Sequence, residues 1–509
     1  MTTTPTITPY RSTLEATGRD GFAQLLRAEW TKFRTVRRWV LGMVAAVLVT
    51  VLISLLGAAG NHVSNNGEPV PKAPDGTVVT DSFGFVHRTL TGNGSITARV
   101  RSLTGSGSDG ALSWAKAGIM IKAGTKQGAG YVALMVTPGH GVRLQYDFTH
   151  DLAGPSAEVS AASPRWLRLT RAGSAYTGYE SADGTHWTEV GTVRPAAIPA
   201  AAQAGVFVTT PMREKVTRAF GSTSVVAGGA SATGVLDHVD LTGDKGQWAI
   251  DRVGHGDLNQ PDKPAGSVSG DTFTVNGTGD IAPDVSAPDV VGKSLGGVLL
   301  GLLVVIAVAT LFITAEYRRD MMRTTLAASP RRGRVVAAKA VVIGAVTFLA
   351  GLVATCVSYP LALHSLRKNG FAPYAAHAQM AFTNGTVMRV VIGSALLLAL
   401  AAVLALALGV VLRSSAGAIT LVAVLVVLPQ ILSYVLPLTA GHWLLRLTPA
   451  AAFAIQQGTS PDAYPQVAHA CLPEGGCYPL SPWSGLGVLG VYAAVALALA
   501  VWRLNRRDA

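Results

Sequence analysis

The chain has 509 residues, of which 49% are hydrophobic and 14% charged, and its formal net charge at pH 7 is +12. A chain of this length allows more than one domain. The basic residues gather at the ends of uncharged apolar runs, which is typical of membrane proteins and argues against a nucleic-acid partner.

The first 38 residues form a basic tail before an apolar run, which predicts a first membrane-spanning helix over residues 39–59. The tail is too long and too charged for a signal peptide, so we interpret this run as an uncleaved anchor. An amphipathic helix in the tail either lies in the headgroup plane or extends the first span. Its apolar face is predicted to contain Phe22, Leu25, Leu26, Trp30 and Phe33.

A long polar region over residues 60–292 separates the first span from the second. Short runs such as "SITARVRSL" and "QAGVFVTT" alternate like strands within residues 78–243, and Gly, Asp, Ser and Pro separate them. "ESADGTHW" predicts a hairpin with Asp183 and Gly184 at its turn. The pattern indicates an all-β sandwich or barrel. Residues 244–291 are interpreted as a connector to the second span.

This region resembles the concanavalin-like lectin/glucanase jelly roll. The resembling segments are "WAKAGIMIKAG", "YVALMVTPGHGVRLQY", "PRWLRLTRAGSAYTGYESADGTHWTEVGT" and "AGVFVTT", and the similarity extends over about a third of the chain. The resemblance implies a sandwich that could bind carbohydrate or peptidoglycan. Six aromatic residues either stack on sugars or pack the core, namely Trp114, Tyr131, Tyr146, Trp166, Tyr179 and Trp187.

A glycosidase would need two carboxylates about 5 to 9.5 Å apart. The Glu-x-Asp-x-x-Glu arrangement of the related glucanases is missing from this sequence. The candidate carboxylates of this domain are Glu158, Glu180, Asp183 and Glu189. Because fold does not fix function, we expect no catalytic activity in this domain.

A basic loop separates the second span, residues 294–315, from the third, residues 338–360. The stretch "EYRRDMMRTTLAASPRRGRVVAAKA" holds six arginines. They either fix the orientation of the helices or form a surface that a cytoplasmic partner binds. A short helix is predicted over residues 316–327, and Ser329 and Pro330 would end it.

Gly292, Lys293 and Ser294, at the start of the second span, superficially resemble a phosphate-binding loop. That motif requires a glycine five positions before Gly292, where this chain has Ala287. We therefore expect no ATP hydrolysis by this chain, and neither a cofactor nor a metal motif is evident.

Three further spans are predicted over residues 390–412, 416–436 and 484–502, for a total of six. Only "RSSAG" separates the fourth from the fifth, which predicts a helical hairpin. The loop before the last span contains Cys471 and Cys477 in "CLPEGGC". They are either a disulfide, if this loop is extracytoplasmic, or two free thiols.

The distribution of basic residues predicts the orientation, because Lys and Arg are enriched in cytoplasmic loops. The tail, the 316–339 loop, the 413 turn and the C-terminus carry most of them. The short loops on the opposite side carry only Arg367, Lys368, Arg389 and Arg446. We expect a plasma-membrane protein with both termini cytoplasmic and residues 60–292 extracytoplasmic.

The membrane portion resembles the permease subunits of actinobacterial type-2 ATP-binding-cassette (ABC) transporters. The resembling segments are "LLRAEWTKFRTVRRWVLG", "EYRRDMMRTTLAASPRRGRVVAAKAVV" and "LLRLTPAAAFAIQ". The large β domain departs from the short loop of many such permeases. The resemblance implies a separate cytoplasmic ABC ATPase and a homo- or heterodimer of permease subunits. It also implies that the 316–334 loop couples to the ATPase through Glu316, Arg318, Arg319, Arg323, Arg331 and Arg332.

The expected function is therefore the permease subunit of an exporter, with membrane lipid around it and ATP hydrolysed elsewhere. The alternative is a membrane-anchored protein that binds cell-wall glycan or acts as a sensor without transport. Six spans favour transport, because one span suffices to anchor a domain.

Overall fold

A computed structural model of the chain describes the following residues: 21–62, 71–106, 113–155, 163–195, 198–211, 213–219, 222–228, 230–243, 246–254, 264–284, 289–318, 321, 331–371, 382–458, 472 and 476–506. Its helices are, in chain order, α1 (Phe22–Thr35), α2 (Arg37–Gly60), α3 (Val290–Lys293), α4 (Val298–Arg318), α5 (Arg332–Lys368), α6 (Gly385–Leu412), α7 (Ser415–Val426), α8 (Leu428–Ser433), α9 (Leu438–Leu447), the 3-10 helix η1 (Pro449–Gln456) and α10 (Pro482–Arg506).

Six helical segments among these described residues are long and apolar enough to span a membrane, which confirms the predicted number. They are α2, α4, α5, α6, α7 together with α8, and α10. The third is longer than predicted, because α5 has 37 residues and rises about 55 Å. Arg413 and Ser414 alone separate α6 from α7, and Arg413 takes a left-handed conformation with φ of 54° that permits the reversal.

Helix α4 packs closely against α2 because small residues face each other. The amide of Gly297, which directly precedes α4, donates to Ser54 Oγ of α2 at 3.0 Å. A Cβ at Gly301, one turn further, would overlap Thr50 Oγ1. Glycines four residues apart allow such close approach between apolar helices. The opposite face of α2 exposes an aliphatic stripe, namely Leu41, Val44, Leu48, Leu52 and Leu56.

Fourteen strands form a sandwich, and four others pair as two-stranded ribbons, which gives eighteen described strands in all. They are β1 (Val79–Asp81), β2 (Phe83–Thr91), β3 (Gly94–Ser106), β4 (Lys116–Lys122), β5 (Tyr131–Thr137), β6 (Gly141–Tyr146), β7 (His150–Ala153), β8 (Arg165–Ala172), β9 (Ala175–Ser181), β10 (Thr188–Val193), β11 (Ala201–Thr209), β12 (Arg213–Ala219), β13 (Ser222–Gly228), β14 (Ser231–Leu241), β15 (Ala249–Val253), β16 (Gly266–Ser269), β17 (Thr272–Gly277) and β18 (Ile281–Pro283).

Two seven-stranded antiparallel sheets make up the sandwich, which confirms the predicted all-β class. Their strand orders are β10-β9-β8-β3-β14-β17-β16 and β15-β2-β11-β4-β5-β6-β7. Alternate residues of β4 and β5, such as Ile119 and Val132, are fully buried between the sheets. The predicted hairpin is present, since β9 pairs with β10 across the turn at Asp183 and Gly184.

The sandwich extends beyond the predicted boundary near residue 243. Strands β15, β16 and β17 belong to the two sheets, so the interpretation of residues 244–291 as a connector is corrected. Val275 of β17 is fully buried in the core. The alternation in "GDTFTVNGTG" therefore marks a sheet strand, and it packs because β14 pairs with it.

One face of the second sheet is covered by the short β1–β18 ribbon. Two buried lysines of β4 form ion pairs with aspartates of this ribbon or next to it. Lys122 Nζ lies 2.8 Å from Asp81 Oδ2, and Lys116 Nζ lies 2.5 Å from Asp280 Oδ1. Burial lowers the pKa of Lys122, and the Asp81 carboxylate opposes that shift. Every residue of β4 is buried, so this part of the face is not accessible to a ligand.

The helices place most basic residues at one end of the bundle, which we call the α1 end. There α1 contacts the end of α4 and the start of α5, Arg332 donates to Leu504 O of α10, and Arg413 lies over the Tyr317 ring. The opposite end, which we call the α3 end, carries α3, α8 and η1.

Asp289 holds the α3 end together. Its carboxylate accepts hydrogen bonds from the amides of Gly292, at 2.9 Å, and of Gly458, at 2.5 Å. It therefore caps α3 and binds the segment that follows η1. A Cβ at Gly476 would also contact this side chain, so a third segment packs against it.

Candidate functional site

Four charged side chains form a cluster at the α1 end. Lys339 Nζ lies 2.6 Å from Glu29 Oε2 and 2.7 Å from Glu316 Oε1. Lys32 Nζ lies 3.0 Å from Glu29 Oε1 and 3.3 Å from Glu316 Oε1. We call Glu29, Lys32, Glu316 and Lys339 the charge cluster. It joins α1, α4 and α5.

Aromatic side chains pack beside the charge cluster and hold its three helices together. Phe312, one turn before Glu316 on α4, contacts the rings of Phe33 and Trp39 at centroid distances of 5.9 and 5.8 Å. The ammonium of Lys339 lies 5.3 Å from the centre of the Phe312 ring. The chain turns at Val36 between α1 and α2, which brings Phe33 and Trp39 to the same ring.

Because the charge cluster is buried, each of its charged side chains depends on the others for stabilisation. The side chain of Lys339 is fully buried, those of Glu29 and Glu316 nearly so, and that of Lys32 is 41% exposed. Burial opposes the charge of Lys32, but Glu29 and Glu316 outweigh it and raise its pKa. Two carboxylates and two ammonium groups leave the cluster neutral, which is the condition under which buried charges are tolerated.

The predicted coupling residues separate into two groups. Glu316 is buried in the charge cluster, so its carboxylate binds within the chain and is not on an exposed surface. Arg318 and Arg331 are exposed at the two ends of the basic loop. Arg332 is half-buried, and its Nη1 donates to Leu504 O at 2.6 Å. Arg319, Arg323 and most of the predicted 316–327 helix lie outside the described residues.

Three members of the charge cluster were not predicted as site residues. Lys32 and Lys339 were counted only as basic residues of the tail and of the loop, and Glu29 was not singled out. A signal existed in the sequence, because Lys339 interrupts the apolar run of the third predicted span. An ionisable residue in such a run has to find a partner.

Each described candidate carboxylate of the sandwich has a partner of its own. Glu180 is buried and faces Arg165 at 3.4 Å. Asp183 organises its turn, where hydrogen bonds from the His186 amide and ring hold its pKa below the ordinary value. Glu189 accepts a hydrogen bond from Thr192 Oγ1. Glu158 lies outside the described residues.

The six candidate aromatic residues differ in exposure. Tyr131 is fully buried, and Trp114 is buried under the stacked ring of His140 at 3.8 Å. Tyr146, Trp166, Tyr179 and Trp187 are half-buried. Arg168 lies 3.9 Å from the centre of the Trp187 ring and Arg99 lies 5.5 Å from that of Trp166. Core packing thus explains two of the six, and four keep part of their surface accessible.

Cys477 is disulfide-bonded, and Cys356 is a free, exposed thiol. Cys471 lies outside the described residues, so the pairing of Cys471 with Cys477 stays a prediction. Among the residues that the structure describes, His, Cys, Asp and Glu side chains form no group of three or more that could hold a metal ion.

No family model matches the chain, and no curated protein matches it. Several solved structures resemble part of it. A GH43 protein of Bacillus licheniformis is 18% identical, with a TM-score of 0.18 over 23% of this chain and 24% of its own length. SCP-B, a member of the Eqolisin family of peptidases solved with a tripeptide, is 12% identical, with a TM-score of 0.25 over 40% of this chain and 100% of its own.

A functionally unknown protein of Saccharomyces cerevisiae is 15% identical, with a TM-score of 0.22 over 37% of this chain and 94% of its own. The chain therefore spans about a quarter of the length of the GH43 protein. At these TM-scores, none of the three similarities carries an argument about activity. Function is therefore argued from the chain's own residues.

Proposed function

We propose that the chain is the membrane-embedded permease subunit of an ABC-type exporter, and that a separate cytoplasmic ATPase supplies the energy. Six apolar helices of one chain would contribute half of the translocation pathway, and a second permease subunit would contribute the other half. The aliphatic stripe of α2 supports insertion in lipid, because soluble proteins rarely expose a contiguous apolar surface of this kind.

The charge distribution supports an orientation with the α1 end in the cytoplasm. Basic residues of α1, of both ends of the 319–330 loop, of the α6–α7 turn and of α10 all lie at that end. Basic residues are retained on the cytoplasmic side of membrane helices. The sandwich would then be extracytoplasmic, as would the α3 end.

The observation that carries the proposal is the bond of Lys339 to both Glu29 and Glu316. Glu316 precedes the basic loop and Lys339 follows it, so both sides of the loop are tied to α1. A partner that moves the loop would move α1, α4 and α5 as one unit. In this proposal Glu316 is a positioning residue, and Arg318 and Arg331 are the described candidates for contact with the ATPase.

A pull-down tests this proposal. The full-length chain is purified in a gentle detergent and co-purifying proteins are identified by mass spectrometry. We expect an ABC ATPase with the wild type and its loss with the double variant Arg318→Ala/Arg331→Ala. The control is Arg367→Ala/Lys368→Ala, which removes the same charge at the α3 end and should retain the ATPase.

The second candidate function is a membrane-anchored glycan-binding or sensor protein without transport. The half-buried Trp166 and Trp187, each beside an arginine, favour it, because exposed aromatic faces can stack on sugars. If no ATPase co-purifies with any of the three proteins, the permease proposal fails and this candidate takes its place. The Trp166→Ala/Trp187→Ala variant should then lose binding to purified cell-wall glycan.

A further inference from the structure

A cavity of about 200 Å³ lies at the α3 end of the bundle. Four segments converge on it: the α3–α4 segment, α8, η1 and the chain just before α10. Its volume exceeds the roughly 150 Å³ of an apolar cavity that holds benzene. It therefore has room for part of an organic ligand as well as for water.

The walls of the cavity are divided chemically. Leu299, Ile431 and Phe453 supply apolar surface from three different helices. Gln430 and Gln456 supply amides, and these are already engaged, with Ala450 O at 3.3 Å and Ser394 Oγ at 3.1 Å. An apolar wall with few polar groups is typical of a site for an organic ligand.

Lys293 supplies the cation of this cavity. Its side chain is half-buried, and its ammonium lies 5.8 Å from the centre of the Phe371 ring. Burial lowers its pKa, and the Asp289 carboxylate opposes that shift. Within the part of the chain that the structure describes, the ammonium group of Lys293 makes neither a hydrogen bond nor an ion pair, whereas its backbone amide donates to Asp289 O.

The neighbouring carboxylate does not neutralise the cavity. Both oxygens of Asp289 accept backbone amides, from Gly292 and Gly458. Arg389, which also interacts with Asp289, donates to Ile455 O and Gln457 O at 3.2 and 2.7 Å. Two cations thus surround one carboxylate, and the local charge is complementary to an anion.

We propose that this cavity binds an amphipathic anion, whose carboxylate or phosphate pairs with Lys293 and whose acyl chain lies on Leu299, Ile431 and Phe453. The anion is either a free fatty acid or the headgroup of an anionic lipid. This inference rests on the proposed membrane location of the chain and is independent of the ATPase partner.

Photolabelling tests the inference. The full-length chain is placed in phosphatidylcholine nanodiscs with one of three diazirine probes of equal chain length: a fatty acid, a phosphatidic acid or a fatty alcohol. Labelled peptides are identified by mass spectrometry. We expect an anionic probe to label peptides that contain Leu299, Ile431 or Phe453, and the alcohol to label them at least several-fold less.

Variants sharpen the test. Lys293→Gln should reduce labelling by the anionic probe about ten-fold, because a charge-assisted bond is lost. Lys293→Arg should retain the labelling, and so should the control Lys368→Gln, which removes an exposed lysine at the same end. Labelling by the fatty acid alone identifies a free acid, and labelling by phosphatidic acid alone identifies a lipid headgroup.

Equal labelling by the alcohol, absence of label from these peptides, or wild-type labelling of Lys293→Gln would overturn the inference. If Lys293→Gln does not fold, the inference is tested on the wild type alone, by comparing the labelling from the anionic probes with that from the fatty alcohol. The pull-down of the ATPase is a separate experiment, so failure of one proposal is distinguished from failure of the other.

Discussion

Lys339 Nζ lies 2.6 Å from Glu29 Oε2, although the two residues are 310 positions apart. The pair joins the helix that precedes the first long apolar helix to the start of the third. The whole sandwich and the second apolar helix lie between them in the chain. A buried lysine therefore contributes to holding α1 against the bundle, and the same lysine binds Glu316 at the start of the basic loop.

Replacing Lys339 by methionine should strongly destabilise the protein. The variant leaves Glu29 and Glu316 buried with Lys32 as their only cation in the described chain. Removing one partner of a buried pair costs about 3–5 kcal/mol. We expect a clear drop in the melting temperature of the detergent-purified chain. The control Lys368→Met changes an exposed lysine of the same helix and should melt like the wild type; equal melting of both variants would contradict the role of the cluster.

A side chain larger than that of glycine at Gly301 should destabilise the protein. Gly301→Ala places a methyl group against Thr50 Oγ1 and pushes α4 away from α2, and overpacking of this kind costs about 1–3 kcal/mol. Gly57→Ala on α2 is the matched control, because a Cβ there meets nothing within 4 Å. Thermal unfolding in detergent should show a loss for Gly301→Ala only. A loss of the same size for Gly57→Ala would contradict packing as the cause, because alanine favours a helix more than glycine does and meets no neighbour there.

Cysteine labelling in intact cells should report the orientation. In a Cys356→Ala background, Asp240→Cys on β14 and Arg331→Cys at the start of α5 introduce thiols at exposed positions. A maleimide that cannot cross membranes should label Asp240→Cys directly and Arg331→Cys only after permeabilisation. The background protein measures labelling of the remaining cysteines. The opposite pattern would place the sandwich in the cytoplasm and reverse the proposed orientation.

The sequence predicts the local elements well and the long-range contacts poorly. Apolar runs of span length identify all six long helices, because length and the absence of charge suffice for that class. Strand β17 was interpreted as part of a connector, because its partner β14 lies more than 30 residues earlier and alternation alone does not show pairing.

The same limit applies to the candidate site. Glu316 was expected on a docking surface because the resemblance to ABC permeases implied a coupling role for the 316–334 loop. Its actual neighbours, Glu29 and Lys339, come from other helices, and no local pattern links the three. The cavity beside Lys293 is likewise built from four distant segments. Such sites depend on tertiary packing, which periodicity does not encode.

The stability of the α3 end should depend on pH through Asp289. Burial raises its pKa from 3.8 to about 6, although amides of Gly292 and Gly458 bind the carboxylate. The charged or titratable groups that interact with it in the described chain are Lys293, Tyr359, Arg389 and Tyr478. The folded state therefore takes up a proton near pH 6, whereas the unfolded state does so only near pH 4.

It follows that the contribution of Asp289 is most favourable below about pH 4 and declines as the pH rises to about 6, by up to about 3 kcal/mol. We expect the melting temperature of the wild type, relative to that of Asp289→Asn, to fall across this range and to be constant above it. Asp240→Asn, at an exposed position of β14, is the control and should show no such relative change. A relative melting temperature that rises between pH 4 and 6 would mean that the backbone amides stabilise the ionised form more than burial penalises it.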